Sequence, residues 1–251
     1  MYRLIAFKNM KKVVSLLLTA VLTASVCVQN SYGQGFSNAT FGVRAGVNFT
    51  KFGGSDADIF ADDLDEYGLD MKTSFKPGIQ LGVVVNFPMK NEKLTFQTGL
   101  IYSQQGAKWK ASGTVTYLTV PIKCEADVRM NLNYFQIPLN FLYRHDLNSD
   151  LSLLLQAGPY ICYGINGKLK SKVKVSAAGV TESESDEENL KFGSEDELNN
   201  FDLGLGLGVG VLFREKIHVG LGYNLGFANI SSDVNIKNKG FALTITYMFN
   251  K

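Results

Sequence analysis

The sequence lacks a long apolar segment outside its N-terminus, and only two of its 251 residues are histidine. After residue 34 no stretch reaches ~18 uninterrupted apolar residues, the length that a membrane-spanning helix requires. Histidine is the commonest general base and a frequent metal ligand, and both copies, His145 and His218, lie beside predicted short turns. We therefore expect no enzyme and no catalytic, cofactor-binding or metal-binding residues.

An excess of positive charge is also missing from the exported part of the chain. Residues 1–34 contain four basic and no acidic residues, so removing them lowers the basic count from 25 to 21, against 23 acidic residues. A chain so close to neutrality has no basic footprint for nucleic acid. No nucleic-acid partner is expected.

The N-terminus has the order of a secretory signal peptide. Four basic residues precede an apolar run over 13–28, and small residues follow it. This pattern predicts a signal peptide over residues 1–34, cleaved beside Gly33. The alternative is a lipid anchor on Cys27, but Val26 is larger than the residue that normally precedes a lipidated cysteine.

The clearest pattern in the remaining chain is strict alternation in residues 203–227. Apolar residues occupy the odd positions, while glycine occupies most of the even positions. Period-two alternation predicts two β-strands. The turn Arg214–Lys216 should join them as a hairpin in which Phe213 pairs with Ile217.

The apolar face of this hairpin allows two interpretations. It points inward in a soluble, lipocalin-like barrel, and it faces lipid in an outer-membrane barrel. A solvated face normally carries lysine, glutamate and threonine, whereas this one is mainly glycine, which suits a crowded barrel interior. About ten residues per strand also match a tilted membrane crossing. The pattern favours the membrane.

The same test predicts an all-β fold, an eight-stranded antiparallel up-and-down transmembrane β-barrel over residues 35–251. Its strands are centred on residues 41–49, 75–87, 94–102, 131–145, 151–166, 203–213, 217–227 and 241–249. The short turns are 88–93, 146–150 and 214–216, and the long extracellular loops are 51–74, 109–130, 167–199 and 229–239. Outer-membrane barrels have short periplasmic turns and long outer loops, so both termini should be periplasmic.

Aromatic residues mark both ends of these strands, as they do at the two membrane interfaces of such barrels. The periplasmic girdle would comprise Phe41, Phe87, Tyr143, Phe213 and Phe249. The outer girdle would comprise Phe49, Phe75, Tyr102, Phe201, Phe227 and Phe241.

Four short motifs resemble one group of such barrels. They are Tyr134-Phe135-Gln136-Ile137-Pro138-Leu139, Gly42-Val43-Arg44-Ala45-Gly46, Tyr102-Ser103-Gln104-Gln105-Gly106 and Gly158-Pro159-Tyr160. Together they are similar to the PorT-like, porin-family outer-membrane β-barrel proteins of Bacteroidetes, which are Gram-negative. The resemblance spans residues 35–251 and implies an outer-membrane location and an accessory role in secretion. It implies no shared catalytic residues.

Three details of the barrel follow from the register. Arg44, Lys76 and Arg144 should point inward into a polar network. Cys162 should face Tyr134, about ten residues from Cys124, which disfavours a disulfide. Pro138 lies within a strand of a closed barrel and should be accommodated by a bulge.

The outer loops are strongly charged. The first holds Asp56, Asp58, Asp62, Asp63, Asp65, Glu66 and Asp70, but Phe60 and Ala61 occupy the positions where a calcium loop needs an oxygen ligand and glycine. The third has alternating lysines at 168–174, which suggest that the strand extends beyond the membrane, followed by an acidic run. The first can be a solvated acidic loop or a surface that binds cations. The third can be a solvated loop or a recognition surface for a partner protein or lipopolysaccharide.

These features predict an integral outer-membrane barrel with a filled interior and a structural or interaction role: adhesion, envelope integrity or assistance in secretion. The expected partners are outer-membrane lipid or lipopolysaccharide, the barrel-assembly machinery, and a protein bound through the loops. The alternatives are a small-solute porin and a secreted soluble ligand-binding barrel.

Overall fold

The computed structural model describes residues 39–57, 69–117, 120–193, 198–231 and 234–249. The predicted signal peptide and Asp58 to Glu66 of the first loop lie outside these residues. Within them, no helix is long and apolar enough to span a membrane. The described strands are β1 (Thr40–Gly53), β2 (Leu69–Ser74), β3 (Lys76–Pro88), β4 (Leu94–Tyr117), β5 (Val120–Pro138), β6 (Asn140–Asp146), β7 (Leu151–Ala177), β8 (Val180–Leu190), β9 (Phe201–Phe213), β10 (Ile217–Gly226) and β11 (Lys237–Phe249).

Eight antiparallel positions close into a ring. The order is β1, β3, β4, β5 with β6, β7, β9, β10 and β11, and β11 pairs back with β1 through Phe41 opposite Phe249. Strands β5 and β6 occupy the same position in the ring: β5 ends at Pro138, and β6 begins at Asn140 and continues along the same neighbours. The predicted eight-stranded up-and-down barrel is therefore confirmed, and closure leaves the ring without a free edge.

The alternating pattern is placed as predicted, with the apolar residues outward. Leu81, Leu207 and Leu243 are about half exposed, at 60%, 52% and 49%. The turn at 214–216 pairs Phe213 with Ile217. Such a belt of exposed aliphatic side chains is stable only against lipid, because in water it would be a very large apolar patch.

The segments predicted as loops contain further strands. Strands β4 and β5 stay paired as far as Tyr117 opposite Val120, and β7 pairs with β8 up to a two-residue turn at Ala178 and Gly179. Both turn residues have positive φ, 50° and 83°, as a tight hairpin turn requires. The predicted extension of the fifth strand through the lysines at 168–174 is confirmed by β7. For β4 and β5 the prediction stopped at the length that crosses a membrane, whereas backbone pairing continues beyond it.

Two predicted details of register are wrong. Cys162 lies opposite Gln136, two positions from Tyr134. Pro138 produces no bulge, because the pairing of β4 keeps one register from Ile101–Gln136 to Gln97–Asn140. The proline instead ends β5, and the chain resumes pairing after Leu139.

A break in the pairing register of β5 and β7 lies four residues before Pro138. It changes which side chains of β7 point into the barrel. Asn133 pairs with Asn166 and Tyr134 pairs with Gly164, so Ile165 has no partner on β5. An extra residue in one strand reverses the alternation beyond it. Even-numbered residues of β7 point inward below Ile165 and outward above it.

Candidate functional site

A buried arginine organises the barrel interior near the short turns. Arg44 is 5% exposed and donates from Nε to Thr246 Oγ1 (3.0 Å) and from Nη2 to Gln97 Oε1 (2.6 Å). Gln97 in turn donates from Nε2 to Asn86 Oδ1 (2.8 Å). These side chains come from β11, β1, β3 and β4, so the network links four consecutive strands of the ring on their lumen side.

A second polar layer lies further along the barrel. Asn48 donates to Ser103 Oγ (3.1 Å) and accepts from Gln80 Nε2 (2.9 Å). Lys76 is buried and donates from Nζ to the Gln105 carbonyl (3.3 Å). A buried cation is tolerated when its hydrogens reach acceptors, and these amide and carbonyl groups supply them.

The end opposite the short turns is closed by an apolar cluster. Its buried members are Phe52, Ala57, Ala107, Leu132, Tyr134, Tyr160, Cys162, Leu198 and Ile230. Phe192 packs edge-on against Tyr134, with ring centroids 5.5 Å apart. Leu198 and Ile230 come from the chain between the ring strands, so these residues lie over the mouth and help to plug it.

The remaining space inside the barrel is small. One cavity of about 40 Å³ is bordered by Arg44, Gln156 and Asn224, and another of about 10 Å³ lies near Asn48 and Asn238. A single water needs at least ~10 Å³, so the larger cavity has room for a few waters. The interior is filled by side chains, as an eight-stranded barrel requires, which disfavours the porin alternative.

Beyond the plugged mouth, the long strands form a projecting sheet. It consists of β2, β8 and the outer parts of β4, β5 and β7, with the strands in the order β2, β4, β5, β7, β8. From Leu132 to the end of the β4–β5 hairpin this sheet extends for about twelve residues, or ~40 Å at ~3.3 Å per residue. It is the largest structured surface outside the barrel in the described part of the chain.

The two faces of the projecting sheet differ in charge. The outward face continues the lipid-facing side of the barrel and carries nine basic residues, Lys72, Lys108, Lys110, Lys123, Arg129, Lys168, Lys170, Lys172 and Lys174, against four acidic ones, Asp70, Glu125, Asp127 and Glu187. The inward face continues the barrel interior. Its described side chains include no lysine or arginine; they are mostly apolar on β4, β5 and β7, with four acidic residues on β8 at its edge.

The acidic residues of the outward face are each held by neighbouring cations. Asp127 accepts from Arg129 Nε (2.8 Å) and pairs with Lys108 (2.9 Å), and the Arg129 hydrogen bond is the main reason that its pKa falls from 3.8 to about 2. Glu187 bridges Lys168 and Lys170, and their hydrogen bonds lower its pKa.

Of the inward-pointing residues predicted from sequence, Arg44 and Lys76 lie in the interior network. Arg144 lies at the exposed short-turn end, where it pairs with Asp146 (2.5 Å) and Glu215 (2.9 Å). His218 is buried inside the barrel and His145 is exposed at the end of β6, so the structure does not bring the two histidines into one site.

The first loop, the two cysteines and possible metal ligands were also candidates from the sequence. In the first loop, Asp56 accepts a hydrogen bond from the Asn235 amide (2.8 Å). Cys124 lies opposite Val175, whereas Cys162 lies opposite Gln136, twelve residues from Cys124 along β5. Both thiols are free. Among the described residues, no three histidine, cysteine or acidic side chains are grouped as metal ligands.

The outward basic face was only partly visible in the sequence. Alternating lysines at 168–174 signalled a strand, but their even numbers match the inward positions of the membrane part of β7. The unpaired Ile165 reverses that alternation. The side chains of Lys108 and Arg129 join this set only because β4, β5 and β7 are adjacent.

Comparison with known proteins agrees with this geometry. The family model described as outer membrane protein beta-barrel domain matches residues 29–232. No curated protein matches the chain.

Similar solved structures include Neisserial surface protein A (12% identity, 84% of this chain and 99% of that chain covered, TM-score 0.36). Others are Ail, the attachment invasion locus protein of Yersinia pestis (16%, 84% and 99%, TM-score 0.32), and the outer membrane protein OprG from Pseudomonas aeruginosa (13%, 85% and 97%, TM-score 0.32). The family assignment rests on the family model.

Proposed function

The chain belongs to the outer membrane protein beta-barrel domain family, and from this premise we propose that its barrel anchors the projecting sheet outside the outer membrane for an interaction or structural role in the envelope. The observation that carries the proposal is a plugged barrel whose longest strands continue into a sheet with two unlike faces. A filled barrel has no transport path, so the exposed sheet is the part available for contact. The proposed role is non-enzymatic: adhesion, envelope integrity or assistance in secretion.

The orientation follows from the two unlike ends of the barrel. The turns at 89–93, 147–150 and 214–216 lie at the same end as the paired residues Phe41 and Phe249. Outer-membrane barrels place short turns in the periplasm. We therefore infer periplasmic termini, with export directed by the signal peptide at residues 1–34.

Finer assignments rest on resemblance and general chemistry. The motif at 134–139 supports a place among the PorT-like proteins of Bacteroidetes. Phe249, near the C-terminus, fits the aromatic ending that barrel-assembly machinery recognises. The proposed partners are that machinery during biogenesis, lipid or lipopolysaccharide around the barrel, and a protein bound by the projecting sheet.

The first test concerns anchoring. The mature protein, folded in detergent or lipid vesicles, should migrate faster in SDS gels before boiling than after, because a closed barrel has no edge from which to unravel. It should give no stable single-channel steps in planar bilayers. A mature chain that is soluble without detergent, or that conducts in regular steps, would contradict the proposal.

The second test removes the outer half of the sheet and keeps the barrel. Deleting residues 112–125 and 172–185 and closing each hairpin with an Asn-Gly turn preserves the pairings of Ala111 with Ala126 and Ser171 with Asp186. In a source strain lacking the protein, the trimmed chain should reach the outer membrane and keep its heat-dependent mobility. It should not restore adhesion or detergent resistance, whereas full restoration would refute a role for the outer half of the sheet.

A further inference from the structure

We propose that the outward face of the projecting sheet binds the phosphorylated saccharide headgroups of outer-leaflet glycolipids of the lipopolysaccharide type. This inference rests on the proposed orientation, with the sheet outside the membrane. It adds the binding surface and the chemistry of the headgroup that this surface recognises.

The outward face of the sheet continues the lipid-facing surface of the barrel. Tyr102, Phe135 and Tyr163 lie side by side on β4, β5 and β7 at the outer end of the apolar belt. Aromatic rows of this kind mark the membrane interface. The next outward row is formed by the amides of Gln104, Asn133 and Asn166, and the cations follow directly on the same face.

The cations of the outward face stand in rows across adjacent strands. Lys108, Arg129 and Lys170 are direct neighbours across three adjacent strands on one face. Like charges placed opposite each other destabilise a sheet, so such a row is expected where an anion compensates it. Asp127 and Glu187 compensate only part of this charge, and the outward face keeps a net charge of plus five from nine basic and four acidic residues.

Two cations are left for an external partner. Lys110 and Lys172 flank Asp127 on the neighbouring strands, but Asp127 is paired instead with Lys108 and Arg129. Neither Lys110 nor Lys172 forms a salt bridge within the described part of the chain. The register places both residues in the middle strands of the outward face, in one row with Lys72 and Asp127.

The height of the cations above the membrane interface selects the class of lipid. The row at Lys168 begins four residues beyond the aromatic row and the row at Lys174 lies ten residues beyond it, counted on β5. With ~3.3 Å per residue and a tilt of ~40°, the cations lie ~10 to ~25 Å above the interface. Phospholipid headgroups occupy only ~5 to ~8 Å on each side of the hydrocarbon core. Only a headgroup extended by several sugars brings phosphate to that height.

The test uses the mature protein in detergent micelles, folded as shown by its heat-dependent mobility. Binding of fluorescently labelled lipopolysaccharide is followed by polarisation, in parallel with the same glycolipid after enzymatic dephosphorylation and with phosphatidylglycerol. The charge variant is Lys110→Gln with Lys172→Gln, which breaks no internal ion pair. The matched control is Lys93→Gln with Lys216→Gln, which removes two cations from the short-turn end.

Wild type should bind the phosphorylated glycolipid at least tenfold more tightly than the dephosphorylated form or phosphatidylglycerol. A lysine near an anionic surface changes affinity by roughly fivefold, so the charge variant should lose about tenfold or more. The control should stay within twofold, and affinity should fall with added salt in all proteins.

Equal affinity for the phosphorylated and dephosphorylated glycolipids would overturn the proposal, as would equal loss in the charge variant and its control. Binding of phosphatidylglycerol as tight as that of the glycolipid would assign the surface to phospholipid and also overturn it. These results leave the heat-dependent mobility and the adhesion test unchanged. Failure of the proposed function would appear in those two assays instead.

Discussion

Replacing Gln97 by leucine should destabilise the barrel by about 3 kcal/mol. Gln97 is 1% exposed, accepts from Arg44 at 2.6 Å and donates to Asn86 at 2.8 Å. Leucine has a similar volume but neither group. Losing a hydrogen bond to a buried charge costs ~1.5–3 kcal/mol, and losing a neutral one costs ~0.5–1.5 kcal/mol. The larger part arises because the Arg44 guanidinium stays buried without its nearest acceptor.

The matched control is Gln104→Leu. Gln104 lies on the same strand but faces outward, where its amide donates to Tyr102 Oη at 3.1 Å. Gln104 lies just beyond the aromatic row at the membrane interface, so leucine there loses only one neutral, partly exposed hydrogen bond and the change in stability should remain within ~1 kcal/mol.

The assay is urea unfolding of the mature protein in phospholipid vesicles. The folded fraction is measured from the band that shifts on boiling and from the fluorescence of the single tryptophan. Gln97→Leu should unfold at a clearly lower urea concentration than wild type and Gln104→Leu. An unchanged midpoint for Gln97→Leu, or equal shifts for both variants, would refute the idea that the interior network holds the barrel together.

Three further predictions use the same preparation. Gly82→Ala should destabilise the barrel or block its folding, because the added Cβ would lie 2.2 Å from a backbone oxygen. In Gly222→Ala the nearest atom to the added Cβ lies at 3.5 Å, so this variant should fold normally. Equal urea midpoints for the two variants would contradict this. The pKa of Asp127 is lowered from 3.8 to about 2, so its stabilisation of the projecting sheet is complete above pH 3.8 and is lost as the pH falls through 2. Amide hydrogen exchange of the β4–β5 hairpin, corrected for intrinsic rates, should therefore accelerate between pH 3.8 and 2 in wild type but not in Asp127→Asn. The same dependence of exchange rate on pH in both proteins would contradict a stabilising role of the ion pairs of Asp127. Maleimide should label Cys124 in the folded protein and Cys162 only after unfolding, since Cys162 is completely buried. If neither cysteine were labelled in the unfolded protein, the two would form a disulfide, which would contradict this prediction.

Local patterns in the sequence were sufficient to predict the ring of strands. Alternation over 203–227 and the three-residue turn between the two arms determine which side chains share a face, because both depend only on neighbours along the chain. The outward placement of the apolar set follows from the same pattern, since glycine on the opposite face suits a crowded lumen. Arg44 and Lys76 were predicted to point inward for this reason.

The interior network and the outward basic face depended on contacts between distant residues. Arg44 and Thr246 are 202 positions apart and meet only because β11 pairs back with β1 to close the ring. The lysines at 168–174 have even numbers, like the buried residues Tyr160 and Cys162 of the same strand. Alternation alone would therefore predict that these lysines point inward. One unpaired residue, Ile165, turns them outward beside Lys108 and Arg129. Which residue of a strand lacks a partner is decided by the neighbouring strand, and therefore by tertiary structure.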